Sequence, residues 1–243
     1  MLDLLVPSEC AGCHRPGQAW CSRCARLLGP PFPIRPDGHP PVYSLGRYAG
    51  PVRSALLAYK ERGHRELAEP FGAAIAAGLL SIADGLAGRP PGYGWWLVPA
   101  PSRAAQARRR GGDHVVRLAE VAAAELARSG VAAAVAPALR LARGARDSVG
   151  LDAAARVANL AGRIRPRRAG LPPAGTGVVL IDDVVTTGTT VTESITALRL
   201  AGLRPLGVIV LAVTDRRAPS RNNGGVASAV CQVPSTPITG CRR

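Results

Sequence analysis

The sequence predicts an α/β protein with a doubly wound, mainly parallel sheet and a small cysteine-bearing module at its N-terminus. Three observations carry this. Short apolar runs at Trp95–Val98, Val178–Asp182 and Leu206–Val213 have the length and composition of buried strands. Between them, Val115, Leu118, Ala122 and Leu126, and then Val191, Ile195 and Leu198, recur at spacings of three and four, the helical period. Strands alternating with helices build a parallel sheet covered on both faces. Finally, 243 residues with 47% apolar content suffice for one full α/β domain and a small appendage.

Taking the elements in order, four of the six cysteines fall within the first 24 residues. Cys10-x₂-Cys13 and Cys21-x₂-Cys24 are two ligand pairs of the kind that close a tetrahedral Zn²⁺ site, and their short separation implies a compact knuckle with His14 as a spare ligand. A structural zinc is the leading expectation. CAGCH is also formally a haem-attachment pattern, but attachment requires export, and MLDLLVPSEC has neither a basic n-region nor room for a secretory apolar core. A cytoplasmic location is therefore expected. A redox dithiol is disfavoured, because such pairs sit beside a strand–helix unit. Here the pairs precede GPPFPIRPDGHPP, whose six prolines favour an extended connector.

The expected division is residues 1–40 for the zinc-binding module and connector, 41–215 for the main domain, and 216–243 for a tail rich in Gly, Pro, Ser and Asn. That tail is expected to be disordered, with Cys231 and Cys241 incidental thiols. In the main domain, Gly50-Pro51 starts a helix and Gly63 stops it, with further helix to about Ala83. The strand at Trp95 ends in Pro99-Ala100-Pro101. Gly130 and Gly202 are stop signals, and Thr190 with Glu193 forms a capping box opening the last helix. No apolar run approaches the roughly 20 residues that span a membrane.

The chemistry concentrates in VVLIDDVVTTGTTVTE, Val178 to Glu193. In an open parallel sheet, ligands bind beyond the carboxyl ends of the strands. Gly188 admits a phosphate close to the backbone, while Thr186, Thr187, Thr189 and Thr190 offer hydroxyls beside the free amides of a helix N-terminus. Asp182 and Asp183 suit vicinal sugar hydroxyls and reach Mg²⁺ through its waters. Together they describe a site for a ribose 5-phosphate. Simple capping of a strand–helix turn needs fewer acids and hydroxyls than this.

This segment closely resembles the signature with which type I phosphoribosyltransferases bind 5-phosphoribosyl-1-pyrophosphate (PRPP). The order of a cysteine motif, YAGPVRSALLAYKERG, VPAPSRAAQARRRG and VLIDDVVTTGTT further resembles the ComF family of competence-associated phosphoribosyltransferase-like proteins, over roughly residues 1 to 215. The resemblance implies a type I phosphoribosyltransferase-like fold, PRPP and Mg²⁺ as ligands, and Asp182 and Asp183 as catalytic residues. It places Pro99 and Ala100 at the loop near the pyrophosphate and gives Arg103, Arg108, Arg109 and Arg110 a role on that side. Lys60, the chain's single lysine, matches a lysine of the family and is a phosphate-contact candidate. Its other reading is an exposed helical residue. The chain departs from the family at Gly112, Asp113 and His114, where members carry an aromatic residue and Asn-Gln.

The net charge of +15 attracts anions of any kind. Residues 101–170 hold 14 arginines against five acids, so nine of the fifteen net charges lie there. Clustered guanidinium groups suit a departing pyrophosphate. A rival ligand is single-stranded DNA, and the family's link to DNA uptake adds competence proteins as partners. With 4% aromatic residues, the chain lacks the stacking platform of single-strand binders. Two functions thus stand side by side: a transferase using PRPP and an unidentified acceptor, and a non-enzymatic competence or DNA-uptake protein that PRPP regulates if it binds. A third is an interaction module whose partner contacts residues 1 to 40.

Overall fold

The computed structural model describes residues 9–35, 40–86, 94–102, 112–142 and 162–214. In chain order these residues form α1 (Ser22–Ala25), β1 (Phe32–Arg35), β2 (Val42–Arg47), α2 (Gly50–Glu61), α3 (Ala68–Ser81), β3 (Trp95–Pro99) and α4 (His114–Arg128). There follow β4 (Ala133–Val135), β5 (Leu139–Leu141), β6 (Ile164–Pro166), β7 (Gly177–Val185), α5 (Thr189–Leu200) and β8 (Arg204–Val213). The expected tail, Arg103, Arg108, Arg109, Arg110, Cys231 and Cys241 lie outside the described residues.

Six strands make one sheet in the order β1-β2-β8-β7-β3-β4, and β5 pairs antiparallel with β6 in a separate ribbon. Every pairing in the main sheet is parallel except that of β1 with β2. Pro33 explains why β1 is at the edge, since proline donates no ladder hydrogen bond. The apolar runs predicted as strands are β3, β7 and β8, buried along most of their length because helices cover both faces of the sheet.

Each helix buries the stripe its periodicity marks. Val115, Leu118, Ala122 and Leu126 of α4 pack with α2, α3, Leu97, Val179 and Ile181 on one face. Val191, Ile195 and Leu198 of α5 pack with Val178, Leu180 and Val210 on the other. Gly130 and Gly202 follow α4 and α5 at φ 78° and 76°, the left-handed conformation that ends a helix. The helical stretch expected to reach Ala83 stops at Ser81 and gives way to a 3₁₀ turn at Ala83–Gly85.

Two local expectations are corrected. The ladder between β7 and β8 continues through Val184 and Val185, so β7 runs beyond Asp182 and carries both aspartates within it. The Thr190–Glu193 capping box does not form. Gly188 is the cap of α5, at φ 78°, and no side chain caps the helix. Glu193 is drawn instead to the backbone N–H of Gly162, which its Oε2 accepts at 2.7 Å.

The cysteine segment shares the main core. Cys10, Ala11, Trp20 and Cys24 are buried with Leu45, Tyr59 and Phe71. Trp20 meets the edge of Phe71 with ring centroids 5.4 Å apart. A Cβ on Gly12 would stand 2.8 Å from the Trp20 ring and 3.0 Å from Pro51, so the knuckle lies close against the start of α2. Among the described residues, no helix is long and apolar enough to cross a membrane.

Candidate functional site

The connections leaving β3 and β7 diverge. The chain goes from β3 to α4 on one face and from β7 to α5 on the other, although the two strands are neighbours. Such a divergence opens a crevice at the carboxyl ends of the strands, the place where open parallel sheets bind ligands. The aspartates, the threonine loop and Pro99-Ala100 all belong to this end. Pro99 pairs with Ile181, and the Ala100 N–H donates to the Ile181 carbonyl at 2.8 Å, setting these two residues beside Asp182.

After Val185, Thr186 is exposed, Gly188 is buried, and Thr187, Thr189 and Thr190 are half-buried. The hydroxyls of Thr187 and Thr189 are 3.0 Å apart, and the Thr189 N–H lies 3.5 Å from Thr187 Oγ1. The loop therefore ends at a helix N-terminus capped by glycine, where first-turn amides and hydroxyls converge. That is a setting for an anion, since these amides lack intrahelical partners and the helix dipole is positive there.

Asp182 and Asp183 are both buried, at 7% and 4% exposure. Successive side chains on a strand leave opposite faces. Asp183 accordingly meets the helices of one face. Its Oδ2 accepts from Lys60 Nζ of α2 at 3.0 Å and lies 2.9 Å from His114 Nε2 of α4, while its Oδ1 accepts the Val184 N–H at 2.7 Å. Asp182 Oδ1 accepts the N–H of Asp183 at 2.8 Å. Burial would raise the Asp183 carboxyl, but the Lys60 charge and the His114 hydrogen bond outweigh it and hold the group well below the usual range. Asp182 is pushed well above that range, by burial first and then by the negative charge of Asp183. The surroundings of these two adjacent carboxyls thus shift them in opposite directions.

The structure brings Lys60 to Asp183 while leaving its side chain 38% exposed. His114, Asp113, Ser102 and Tyr59 complete the site and were not marked as site residues from sequence. Asp113 caps α4, with Oδ1 accepting the Val115 N–H at 3.0 Å and Oδ2 the Ser102 hydroxyl at 2.6 Å. An acidic residue just ahead of the periodic Val115 is a legible start signal. The partner of His114, 69 residues away, is not.

The second cluster is Cys10, Cys13, Cys21 and Cys24, whose sulfurs all lie within 4.8 Å of one another, with Cys13 and Cys21 Sγ 3.6 Å apart. Zinc–sulfur bonds of about 2.3 Å in a tetrahedron imply Sγ separations of about 3.8 Å, so the set suits a metal such as zinc. Burial raises the Cys10 thiol, but the N–H groups of Cys21, Cys13 and Gly12 outweigh it and bring the group down to about 6, whereas burial and the neighbouring thiols push Cys24 up, so the support for a metal here is the geometry of the four sulfurs. His14 is not in this set. It occupies the left-handed turn at φ 60° that closes on the Cys10 carbonyl.

No family model matches the chain. An orotate phosphoribosyltransferase from Xanthomonas euvesicatoria pv. vesicatoria (strain 85-10) is 33% identical over 69 residues, 28% of this chain and 32% of the relative. The match thus spans about a third of that curated relative's length. Among solved structures, an adenine phosphoribosyltransferase aligns with TM-score 0.37 and 14% identity over 67% of this chain and 76% of its own. A hypoxanthine phosphoribosyltransferase variant from Trypanosoma cruzi, in a ternary substrates complex, aligns with TM-score 0.38 and 16% identity over 64% and 73%.

Proposed function

We propose that this protein binds PRPP with Mg²⁺ and transfers the phosphoribosyl group to an acceptor, releasing pyrophosphate. The observation that carries this reading is the buried Asp182-Asp183 pair leading directly into the Thr186–Gly188 turn and the N-terminus of α5, at the crevice between β3 and β7. The local identity to an orotate phosphoribosyltransferase supports it. In this reading Thr186, Thr187, Gly188, Thr189 and Thr190 take the 5-phosphate through hydroxyls and amides. Asp182 and Asp183 take the ribose hydroxyls, which donate to carboxyl oxygens in either charge state. Pro99, Ala100 and Lys60 take the pyrophosphate side, and Arg103, Arg108, Arg109 and Arg110, which lie outside the described residues, are assigned to the same role from the sequence alone.

In the reaction, the bond from C1 of the ribose to the pyrophosphate oxygen breaks and a bond from C1 to the acceptor forms, with loss of the acceptor's proton. The passing centre is cationic at C1, so the side chains position the sugar and favour charge separation, and no nucleophile from the protein is needed. The site's oxygen donors suit Mg²⁺. Asp183 already accepts three hydrogen bonds, so a hydrated ion would be held through its waters. The ion supplies charge neutralisation of the pyrophosphate.

Calorimetric titration of PRPP with Mg²⁺ into wild type and into the Asp182→Asn, Asp183→Asn double variant tests the reading. Saturable binding in the wild type that is lost in the variant is expected. A folded wild type that binds no PRPP would end it. Pyrophosphate release in an acceptor screen then separates a transferase from a PRPP-binding regulator.

A second reading, binding of a polyanion such as single-stranded DNA, has one specific observation in its favour. Arg140 and Arg165 stand directly opposite each other on the exposed side of the β5–β6 ribbon, with Arg167 and Arg168 exposed nearby. Like charges in a cross-strand pair are unfavourable unless an anion joins them. Binding of an oligonucleotide that weakens steeply with salt and is lost in the Arg140→Ala, Arg165→Ala variant is its expected signature.

A further inference from the structure

His114 is a buried imidazole whose ring and backbone are both held. Its side chain is 6% exposed, with Nε2 2.9 Å from Asp183 Oδ2. The carboxylate only accepts, so Nε2 carries the hydrogen. The backbone is fixed twice. Asp113 caps the helix that His114 begins and is itself tied to Ser102, and the Tyr59 hydroxyl donates to the His114 carbonyl at 2.7 Å. The Tyr59 and His114 rings meet with centroids 6.0 Å apart, and Tyr59 in turn meets Phe71 edge-on at 5.8 Å. A row of rings from Trp20 through Phe71 and Tyr59 therefore backs the histidine, and its free end is the hydrogen bond to Asp183.

The two donors on Asp183 Oδ2 differ in freedom. Lys60 is partly exposed on a long flexible stem, whereas His114 is enclosed. A carboxylate offers about four acceptor positions, and three are occupied by Lys60, His114 and the Val184 amide. Departure of Lys60 frees a second position for a ligand's hydroxyls while His114 keeps the group oriented.

We propose that His114 is the positioning residue of this site: its Nε2–H locks the Asp183 carboxylate, and Lys60 is the exchangeable partner that ligand binding displaces. The identity of the ligand rests on the PRPP reading, but the lock does not. Its test uses the full-length chain and the variants His114→Ala, His114→Gln and Asp183→Asn. Gln retains an N–H that reaches Asp183, so it separates hydrogen bonding from mere filling of space. In ligand-free protein, the ¹⁵N resonance of His114 Nε2 is expected to be that of a protonated, hydrogen-bonded nitrogen and to move in Asp183→Asn. Calorimetry with PRPP and Mg²⁺ is expected to show binding about tenfold weaker in His114→Ala, the low end for loss of an orienting partner. His114→Gln should restore most of it. An Nε2 resonance indifferent to Asp183→Asn, wild-type affinity in His114→Ala, or a folded His114→Gln as weak as His114→Ala would each overturn the proposal. A wild type that binds no PRPP but shows the Nε2–Asp183 signature would refute the ligand and uphold the lock.

Discussion

On β7, the alternation of side chains separates two adjacent carboxyls into different electrostatic settings. Asp183 faces Lys60 and His114 and stays ionised well into acid, whereas burial and then the charge of Asp183 keep Asp182 protonated far above its ordinary range. The consequences for stability have opposite signs. The Asp183 contribution is present above the unfolded value of about 3.9 and is lost as pH falls toward its depressed folded value. The Asp182 contribution is present below about 3.9 and is lost as pH rises through its raised folded value. Asp182→Asn keeps the acceptor for the Asp183 N–H and removes the group that must ionise. It is expected to stabilise the protein at pH 8 by on the order of 1 kcal/mol and to give little or no gain at pH 4. Urea unfolding at the two pH values measures this, and an equal difference at both would show that Asp182 ionises as freely folded as unfolded.

At the scale of elements, the site depends on how closely α3 and α4 cross, because α4 begins with His114. Gly72 of α3 makes that crossing possible: a Cβ there would lie 2.5 Å from Val121 Cβ and Cγ1. In an open helix, Gly→Ala would stabilise by up to about 1 kcal/mol. Here the overlap is with a β-branched residue that has little rotamer freedom, so Gly72→Ala is expected to destabilise by about 1–3 kcal/mol. Its thermal midpoint should fall, and the His114 ring resonances should shift as α4 is pushed aside. A rise in midpoint would mean that the two helices separate without loss.

At the scale of the molecule, the four-cysteine knuckle and the parallel sheet are joined by shared core. Trp20 lies against Phe71, and β1 supplies the edge strand beside β2. Trp20→Ala is expected to lower stability by about 3–5 kcal/mol while unfolding remains one cooperative transition. On the reading that zinc fills the four sulfurs, a chelator should lower the midpoint of that same transition. Scanning calorimetry with and without chelator checks both. An early, separate transition for the knuckle, with the main transition unmoved, would show that the core is not shared.

The local rules that depend on neighbours along the chain were legible in the sequence. The apolar runs became β3, β7 and β8, the stripes of α4 and α5 became their buried faces, and the glycine stops at 130 and 202 hold. Asp182, Asp183 and the Thr-Gly loop could be placed together because strand, turn and helix are consecutive, and the cysteine pairs because their spacing is short. The rest needed the fold. The capping box failed because Glu193 finds the Gly162 amide, 31 residues away, and β7 is longer than its apolar run because β8 continues to pair with it. His114 and Lys60 gain their meaning from one carboxylate oxygen that the sequence separates from them by 69 and 123 residues. Periodicity is a property of adjacent backbone, so sequence alone determined β3, β7, β8, the stripes of α4 and α5 and the loop, whereas β1, β2, β4, β5 and β6 were defined only by their pairing in the fold. Charge state and orientation at the aspartates come from burial and from donors on other elements, so those were decided by the tertiary structure.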